Sequence, residues 1–174
     1  MKIGNREFQT KGHTYVMGIL NVTPDSFSDG GKWNDRDRAL KHVEEMIAEG
    51  MDIVDIGGES TRPGYYTLLS DEEEIARVVP MIEAVKANFD IPISLDTYKS
   101  GVAEAGIRAG ADLINDIWGL NYDRHMAEVI AKSGLPCCLM HNRKEADYQD
   151  FMQDVATDLA DTIHLAEAAG IADD

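Results

Sequence analysis

The chain has 174 residues, of which 44% are hydrophobic, enough for one domain with an apolar core. Its formal net charge of −16 argues against nucleic acid or an anionic membrane as a partner. The amino-terminal segment MKIGNREFQTKG lacks the apolar core of a secretory signal. No apolar run approaches the about 18 residues that span a membrane. We therefore expect one cytoplasmic domain over residues 1–174.

Short apolar runs alternate with stretches of helical periodicity along the chain. Ser70 with Glu73 three residues later predicts a capping box at a helix start, and Gly50, Gly110, Gly134 and Gly170 predict helix ends. The predicted elements in chain order are a hairpin from 2–8 and 13–20 around Thr10-Lys11-Gly12, a helix at 35–49, a strand at 53–56, a loop at 57–70, a helix at 71–88, a strand at 93–96, a helix at 99–109, a strand at 113–116, a helix at 123–133, a strand at 136–140 and a helix at 146–169.

Polar residues follow the five apolar runs, always at the same end. They are Asn21, the segment 57–62 with Glu59, Asp96, Asn115-Asp116 and His141-Asn142. Strands that alternate with helices predict βαβ units and a parallel sheet. Ligands bind beyond the carboxyl ends of such strands, so this pattern predicts an enzyme with its site at one rim.

The number of βα units is five, whereas a closed (βα)8 barrel needs eight units and about 250 residues. The fold is therefore expected to be part of a larger barrel, an open sheet, or a sheet completed by another chain. An exposed parallel edge harms solubility, which favours a fragment of a larger protein.

Two long motifs carry most of the functional information. Residues 18–31 read GILNVTPDSFSDGG and residues 54–64 read VDIGGESTRPG. With SLDTYKS at 94–100 and LINDIWG at 113–119, they closely resemble dihydropteroate synthase from about Tyr15 onward. The resemblance implies an α/β fold of the TIM (βα)8 barrel type, here with about five of the eight units.

The resemblance also implies a chemistry. The family condenses 7,8-dihydropterin pyrophosphate with p-aminobenzoate to dihydropteroate, releasing pyrophosphate with the help of Mg2+, and sulfonamides mimic p-aminobenzoate. We expect the full-length protein to be a homodimer. Three segments of the family, an Asp-Pro-Gly, a Ser-Arg-Lys and an Arg-x-His, are absent from these 174 residues, so the chain alone is expected to be inactive.

Asn21 is the predicted metal ligand. Its amide oxygen suits Mg2+, which takes one or two protein oxygens together with phosphate and water. The alternative is a turn-forming Asn before Val-Thr-Pro. Residues 23–29 form either an ordinary connection or a lid that excludes water. Through the resemblance, Phe27 is expected at the substrates and Asp29 near the reacting centre.

The loop Gly57–Gly64 offers backbone N–H groups, hydroxyls and a guanidinium, the donors that an anionic leaving group needs. By itself, a glycine-rich turn with one Arg is weak evidence. With the resemblance, Thr61 is the expected phosphate contact, Arg62 the catalytic contact on the p-aminobenzoate side, and Pro63 a residue that shapes that pocket.

Asp96 and Asn115 are the predicted pterin ligands. A pterin edge presents N–H donors beside a carbonyl acceptor, which a carboxylate and an amide can match. For Asp96 the alternative is an N-cap of the helix near Lys99. Ile117 and Met140 are expected to line the pterin face or to pack in the core.

Two further polar residues are predicted at the rim. Asp116 is expected to support Asn115 or a loop. His141 is either a proton donor or a loop residue.

Two other functions compete with the synthase, and the loops NVTPDSFSDGG and STRPG decide against the first of them. A pterin-dependent methyltransferase shares the Asp and Asn-Asp strand ends, but not NVTPDSFSDGG or STRPG. A non-catalytic pterin-binding or assembly module would bind pterin without turnover. The adjacent Cys137 and Cys138 are predicted to be buried, reduced thiols on a strand.

Overall fold

The computed structural model describes residues 1–9, 11–22, 32–60 and 68–173. In this part of the chain, five parallel strands form one sheet in the order of the sequence. They are β3 (Met17–Asn21), β4 (Ile53–Gly57), β5 (Ile93–Asp96), β6 (Leu113–Asp116) and β7 (Cys137–Leu139), preceded by a small antiparallel pair of β1 (Lys2–Ile3) and β2 (Arg6–Glu7).

A helix follows each strand of the parallel sheet. These helices are α1 (Lys32–Ala48), α2 (Asp71–Asn88), α3 (Ser100–Ala109), α4 (Met126–Ser133) and α5 (Phe151–Ala169). Sequential neighbours that pair in parallel, each joined through a helix, are successive βα units of a barrel wall. The predicted alternation of strands and helices is therefore confirmed.

The main core lies between the sheet and its helices. Leu20, Ile56, Leu95 and Ile114 occupy one row across four strands and are 0–2% exposed. They belong to one apolar cluster with buried side chains of α1 to α4. Burial of each such side chain contributes about 1.5–3 kcal/mol. Side chains alternate across a strand, so the next row faces away from the helices, into what would be the barrel interior.

The amino-terminal hairpin was predicted with its turn at the wrong position. The antiparallel pairs are Lys2 with Glu7 and Ile3 with Arg6, so the chain turns at Gly4-Asn5, well before Thr10-Lys11-Gly12. Gly4 has a φ of +59°, a conformation that a two-residue turn demands and glycine adopts without strain. The turn is stabilised because Ile3 and Phe8 are then buried against Ile53 and Leu113.

Local signals placed α2 correctly. Ser70 accepts a hydrogen bond from the Glu73 amide at 3.2 Å, and the Glu73 carboxylate accepts one from the Ser70 amide at 3.0 Å. This is the predicted capping box, and the helix covers the predicted residues 71–88.

Two helices begin later than their periodicity predicts. Helix α4 begins at Met126 rather than at 123, because Asp123 is used to accept hydrogen bonds from the amides of Ser100 and His125. Helix α5 begins at Phe151 rather than at 146, where Asp150 accepts a hydrogen bond from the Gln153 amide.

The two cysteines were correctly predicted to be free thiols, but the prediction that they are buried is wrong. Cys137 and Cys138 are free thiols, but Cys137 is only partly buried and Cys138 is exposed. Cys138 pairs in register with Asn115, so it lies on the sheet face away from the helices.

In the described part of the chain, no helix combines the length and the apolar character needed to cross a membrane.

Candidate active site at the carboxyl ends of the strands

One row of residues crosses the sheet at the carboxyl ends of its strands. The register pairs Asn21 with Gly57, Gly57 with Asp96, Asp96 with Asn115, and Asn115 with Cys138. Parallel register places these positions side by side on the face away from the helices. The structure thus brings together Asn21, Asp96 and Asn115, three of the residues that the sequence predicted for the site.

Asp96 is a carboxyl group in unusual surroundings. Burial raises its pKa to about 7, and the negative charges of Asp55, Glu74, Asp116 and Glu59 act in the same direction. Gly57 on the neighbouring strand makes room for it, because a Cβ at position 57 would lie 3.3 Å from the Asp96 carboxylate. A carboxyl group that titrates near neutrality is typical of a functional site.

The alternative role of Asp96 as a helix cap is wrong. Helix α3 has Lys99 at its N-cap position, without a side-chain cap. The amide of Ser100 donates instead to the carboxylate of Asp123 at 2.8 Å, from a different loop. Asp96 is therefore left to the site.

Asn115 is oriented by Asp55, a residue that the sequence analysis did not identify. The Asn115 Nδ2 donates to the two carboxylate oxygens of Asp55 at 3.3 and 3.4 Å. The amide oxygen of Asn115 then points to the opposite side of the amide, where it can accept a hydrogen bond. Asp55 is 6% exposed, and burial raises its pKa. The sequence feature that could have identified Asp55 is its position as a charged residue inside the apolar run Ile53–Ile56.

Asn21 ends β3 at the rim and is partly buried. Among the described residues, its side chain has no hydrogen-bond partner, and no three acidic, His or Cys side chains form a metal cluster. Mg2+ keeps much of its water and needs only one or two protein oxygens beside phosphate. A single amide oxygen at this rim therefore fits a metal that a phosphorylated ligand helps to hold.

The remaining described candidates separate into two groups. Asp116 accepts hydrogen bonds from the amides of Trp118 and Leu120 at 2.8 Å each, so it orders the loop after β6. His141 lies 2.8 Å from the Asp158 carboxylate, which also binds Arg143, so it belongs to the β7–α5 connection. Ile117 and Met140 follow β6 and β7 directly, and Met140 is 45% exposed.

Five predicted site residues lie outside the described residues. They are Phe27, Asp29, Thr61, Arg62 and Pro63. Their roles remain expectations from the resemblance.

A buried ionic cluster lies beside the rim, and no sequence motif predicted it. We call Glu59, Glu74, Tyr98 and Lys99 the Lys99 cluster. The Lys99 ammonium contacts Glu59 at 2.6 Å and Glu74 at 2.8 Å, and the Tyr98 hydroxyl donates to Glu59. Burial lowers the pKa of Lys99, but hydrogen bonds from its ammonium to Glu59 and Glu74 outweigh it, so the pKa is raised. Glu59 was expected to face the site at the rim. In the structure its carboxylate is instead occupied by Lys99 and Tyr98.

Comparison with known proteins shows the family to which the chain belongs. Residues 17–174 match the profile of the pterin binding enzymes. The chain belongs to the pterin-binding enzyme family. The row from Asn21 to Cys138 lies within the matched residues.

Several proteins similar to this chain are dihydropteroate synthases. The chain is 60% identical over 174 residues to the dihydropteroate synthase of Clostridium beijerinckii, covering 100% of this chain and 64% of that protein. The dihydropteroate synthase of Clostridium difficile, crystallised in the presence of pteroic acid, superposes with a TM-score of 0.92 at 45% identity, covering 96% of this chain and 64% of that one.

A third relative extends the comparison. The dihydropteroate synthase of Xanthomonas albilineans in complex with 7,8-dihydropteroate superposes with a TM-score of 0.81 at 39% identity, covering 94% of this chain and 59% of that one. The predicted resemblance and fold class are therefore confirmed. The chain spans less than two thirds of the length of each of these relatives.

Proposed function

We propose that the enzyme containing this chain is a dihydropteroate synthase, which condenses 7,8-dihydropterin pyrophosphate with p-aminobenzoate and releases pyrophosphate. The observation that carries the proposal is the pairing of Asp96 with Asn115 at the strand ends of a pterin-binding barrel wall. The solved relatives support it, because one was crystallised in the presence of pteroic acid and another is in complex with 7,8-dihydropteroate.

The proposed pterin contacts follow from the hydrogen-bond types. The amino group and ring N–H of a pterin are donors, and they need acceptors. Asp96 in its ionised form is an acceptor, and Asn115 offers its amide oxygen because Asp55 holds its Nδ2. Ile117 and Met140 would contact the flat face of the ring.

The proposed reaction is a substitution at the pterin methylene carbon. The carbon–oxygen bond to pyrophosphate breaks first, the amine of p-aminobenzoate then attacks the methylene cation to form the carbon–nitrogen bond, and the amine loses a proton. Thr61 and Arg62 would bind the leaving anion and the amine substrate, and Asp29 would stabilise the positive charge that develops on the methylene carbon. Phe27 and Pro63 would shape the p-aminobenzoate pocket. These groups act by position and charge, without a covalent protein intermediate.

Magnesium is the proposed cofactor, with Asn21 as its protein ligand. When bound, Mg2+ would neutralise charge on the departing pyrophosphate. Asn21 itself would orient the pyrophosphate end of the substrate at the rim of β3. We further propose a cytoplasmic location and a homodimer for the full-length protein.

A synthase assay tests the proposal. The intact enzyme is incubated with the pterin pyrophosphate, p-aminobenzoate and Mg2+, and the product is identified by mass spectrometry. We expect dihydropteroate, inhibition by chelation, and competition between a sulfonamide and p-aminobenzoate. Formation of a different pterin adduct, or full activity in a chelator, would refute it. Binding of pterin without turnover would favour a non-catalytic module.

A further inference from the structure

The Lys99 cluster is a costly arrangement for a protein to keep. Glu59, Glu74 and Lys99 are 6%, 1% and 5% exposed. Removing each charge from water is unfavourable, and replacing such a group by well-packed apolar side chains is often neutral or stabilising. Stability alone therefore does not explain why the chain buries two carboxylates around one ammonium group.

The partners of Lys99 come from three separate parts of the fold. Its Nζ donates to the carboxylate of Glu59, to the carboxylate of Glu74 on α2, and to the backbone carbonyl of Leu69 at 2.8 Å. These three acceptors match the three N–H groups of an ammonium. The ammonium is thus fully used inside the protein and is unavailable to a ligand.

Two of those partners are the two ends of one connection. Glu59 lies just after β4 and Leu69 lies just before α2, ten residues apart. They also contact each other directly, because the Leu69 amide donates to the Glu59 carboxylate at 3.1 Å. Arg77 of α2 adds a hydrogen bond to the Gly58 carbonyl at 3.0 Å. The ends of the β4–α2 connection are therefore closed on each other around Lys99.

We propose that Lys99 is a positioning residue, which ties the two ends of the β4–α2 connection together and so sets the affinity for p-aminobenzoate and the leaving anion. This inference rests on the proposed function, because Thr61 and Arg62 belong to that connection. The pterin contacts Asp96 and Asn115 stand on β5 and β6 and are held by the sheet register. Loss of the tie should therefore affect one half of the site more than the other.

The test compares two lysines. Lys99→Met keeps the apolar stem and removes the ammonium group. Lys86→Met is the matched control, because Lys86 of α2 makes an ion pair of the same 2.6 Å length with Asp112, which precedes β6 at the opposite end of the sheet. The measurements on the intact enzyme are the KM for p-aminobenzoate, inhibition by pyrophosphate, and calorimetric binding of pterin.

The expected result is a split between ligands. In Lys99→Met, the KM for p-aminobenzoate and the inhibition constant of pyrophosphate should rise roughly ten- to a hundredfold, as expected when a catalytic group is misplaced by about 1 Å. Pterin affinity, compared at about pH 9 where Asp96 is ionised in both proteins, should change less than about threefold, and Lys86→Met should leave all three values within that range. Equal weakening for all ligands, or none, would overturn the inference.

A second measurement does not depend on activity. Hydrogen exchange of the Leu69 amide, followed by NMR, should accelerate at least about tenfold in Lys99→Met and stay unchanged in Lys86→Met. If Lys99→Met does not fold, Glu59→Gln weakens the same tie while keeping the shape, and it should accelerate the same amide. Unchanged exchange refutes the tie even if dihydropteroate is made. If the exchange accelerates in Lys99→Met but the unaltered enzyme makes no dihydropteroate, the tie stands and the proposed function is refuted.

Discussion

At the scale of single residues, charge and burial decide what the rim can bind. Asp96 is flanked in register by Gly57 and Asn115, and the negative charge of Asp55, Glu59, Glu74 and Asp116 surrounds it. Close to neutral pH, Asp96 is therefore present both as a neutral acid, which can donate a hydrogen bond, and as a carboxylate, which can only accept one. Ligand binding and folding stability should both depend on this division.

Pterin affinity is expected to follow the ionisation of Asp96. Pterin donors need the carboxylate, and the pKa of Asp96 is about 7, so affinity should increase roughly tenfold from about pH 6 to about pH 8. Asp96→Asn should lose this dependence and, near pH 8, weaken binding by about 1.5–3 kcal/mol. Calorimetry with pterin on both proteins measures the effect. A flat pH profile in the unaltered protein would contradict it.

Stability should depend on the same group with a definite sign. The folded pKa of Asp96 lies above its ordinary value of 3.8, so the native state holds the proton more tightly than the unfolded state. That contribution is fully present below 3.8 and is lost as the pH rises towards about 7. Asp96→Asn should therefore raise the free energy of unfolding near pH 8 and have little effect near pH 4, as measured by urea denaturation. Glu83→Gln, at an exposed position of α2, is the control. Equal effects of Asp96→Asn at both pH values would contradict the raised pKa of Asp96 in the folded protein.

At the scale of elements, caps decide where the helices begin. Helix α2 begins at a capping box in which Ser70 and Glu73 satisfy each other's amides. Helix α3 instead borrows its N-terminal acceptor, Asp123, from a loop 23 residues away. The first arrangement is local and stands in the sequence, while the second needs the folded chain.

Removal of the α2 cap should cost measurable stability. Ser70→Ala leaves the Glu73 amide without its acceptor, which typically costs about 0.5–2 kcal/mol. Urea denaturation would show the loss, with Glu83→Ala on the exposed face of the same helix as the control. A change no larger than that of the control would mean that water replaces the Ser70 hydroxyl without loss.

At the scale of the whole molecule, apolar surface remains open on two sides of the described residues. Ile19, on the sheet face away from the helices, is 62% exposed. Along α5, Phe151, Met152 and Ile163 are 59%, 73% and 56% exposed. In the described sheet, β3 and β7 are the outer strands, with one neighbour each. Such surfaces favour association with further protein.

The 174 residues expressed alone should therefore self-associate, bind a hydrophobic dye and lack synthase activity. A rim that is open to water on one side loses the low-dielectric environment on which electrostatic stabilisation depends. Light scattering, dye fluorescence and a pyrophosphate-release assay measure the three properties. Ile163→Lys with Phe151→Glu should reduce dye binding, because both changes fall on the exposed part of α5. A monodisperse monomer with normal turnover would refute the prediction.

The periodic and local features of the fold could be predicted from the residues alone. The five apolar runs predicted the strands, and their polar ends predicted the row that contains Asn21, Asp96 and Asn115. The Ser70 capping box placed the start of α2 to the residue. These features are readable because side-chain period and helix caps depend on residues only a few positions apart.

The partners of residues that are distant in the chain could not be predicted and became visible in the folded protein. Lys99 meets Glu74 and Glu59 from 25 and 40 positions away, and Asn115 meets Asp55 from 60 positions away. Such pairs form because strand register and helix packing bring distant residues together, and no local pattern encodes them. For the same reason, the turn at Gly4-Asn5 followed from burial of Ile3 and Phe8 under the sheet, rather than from the glycine at position 12.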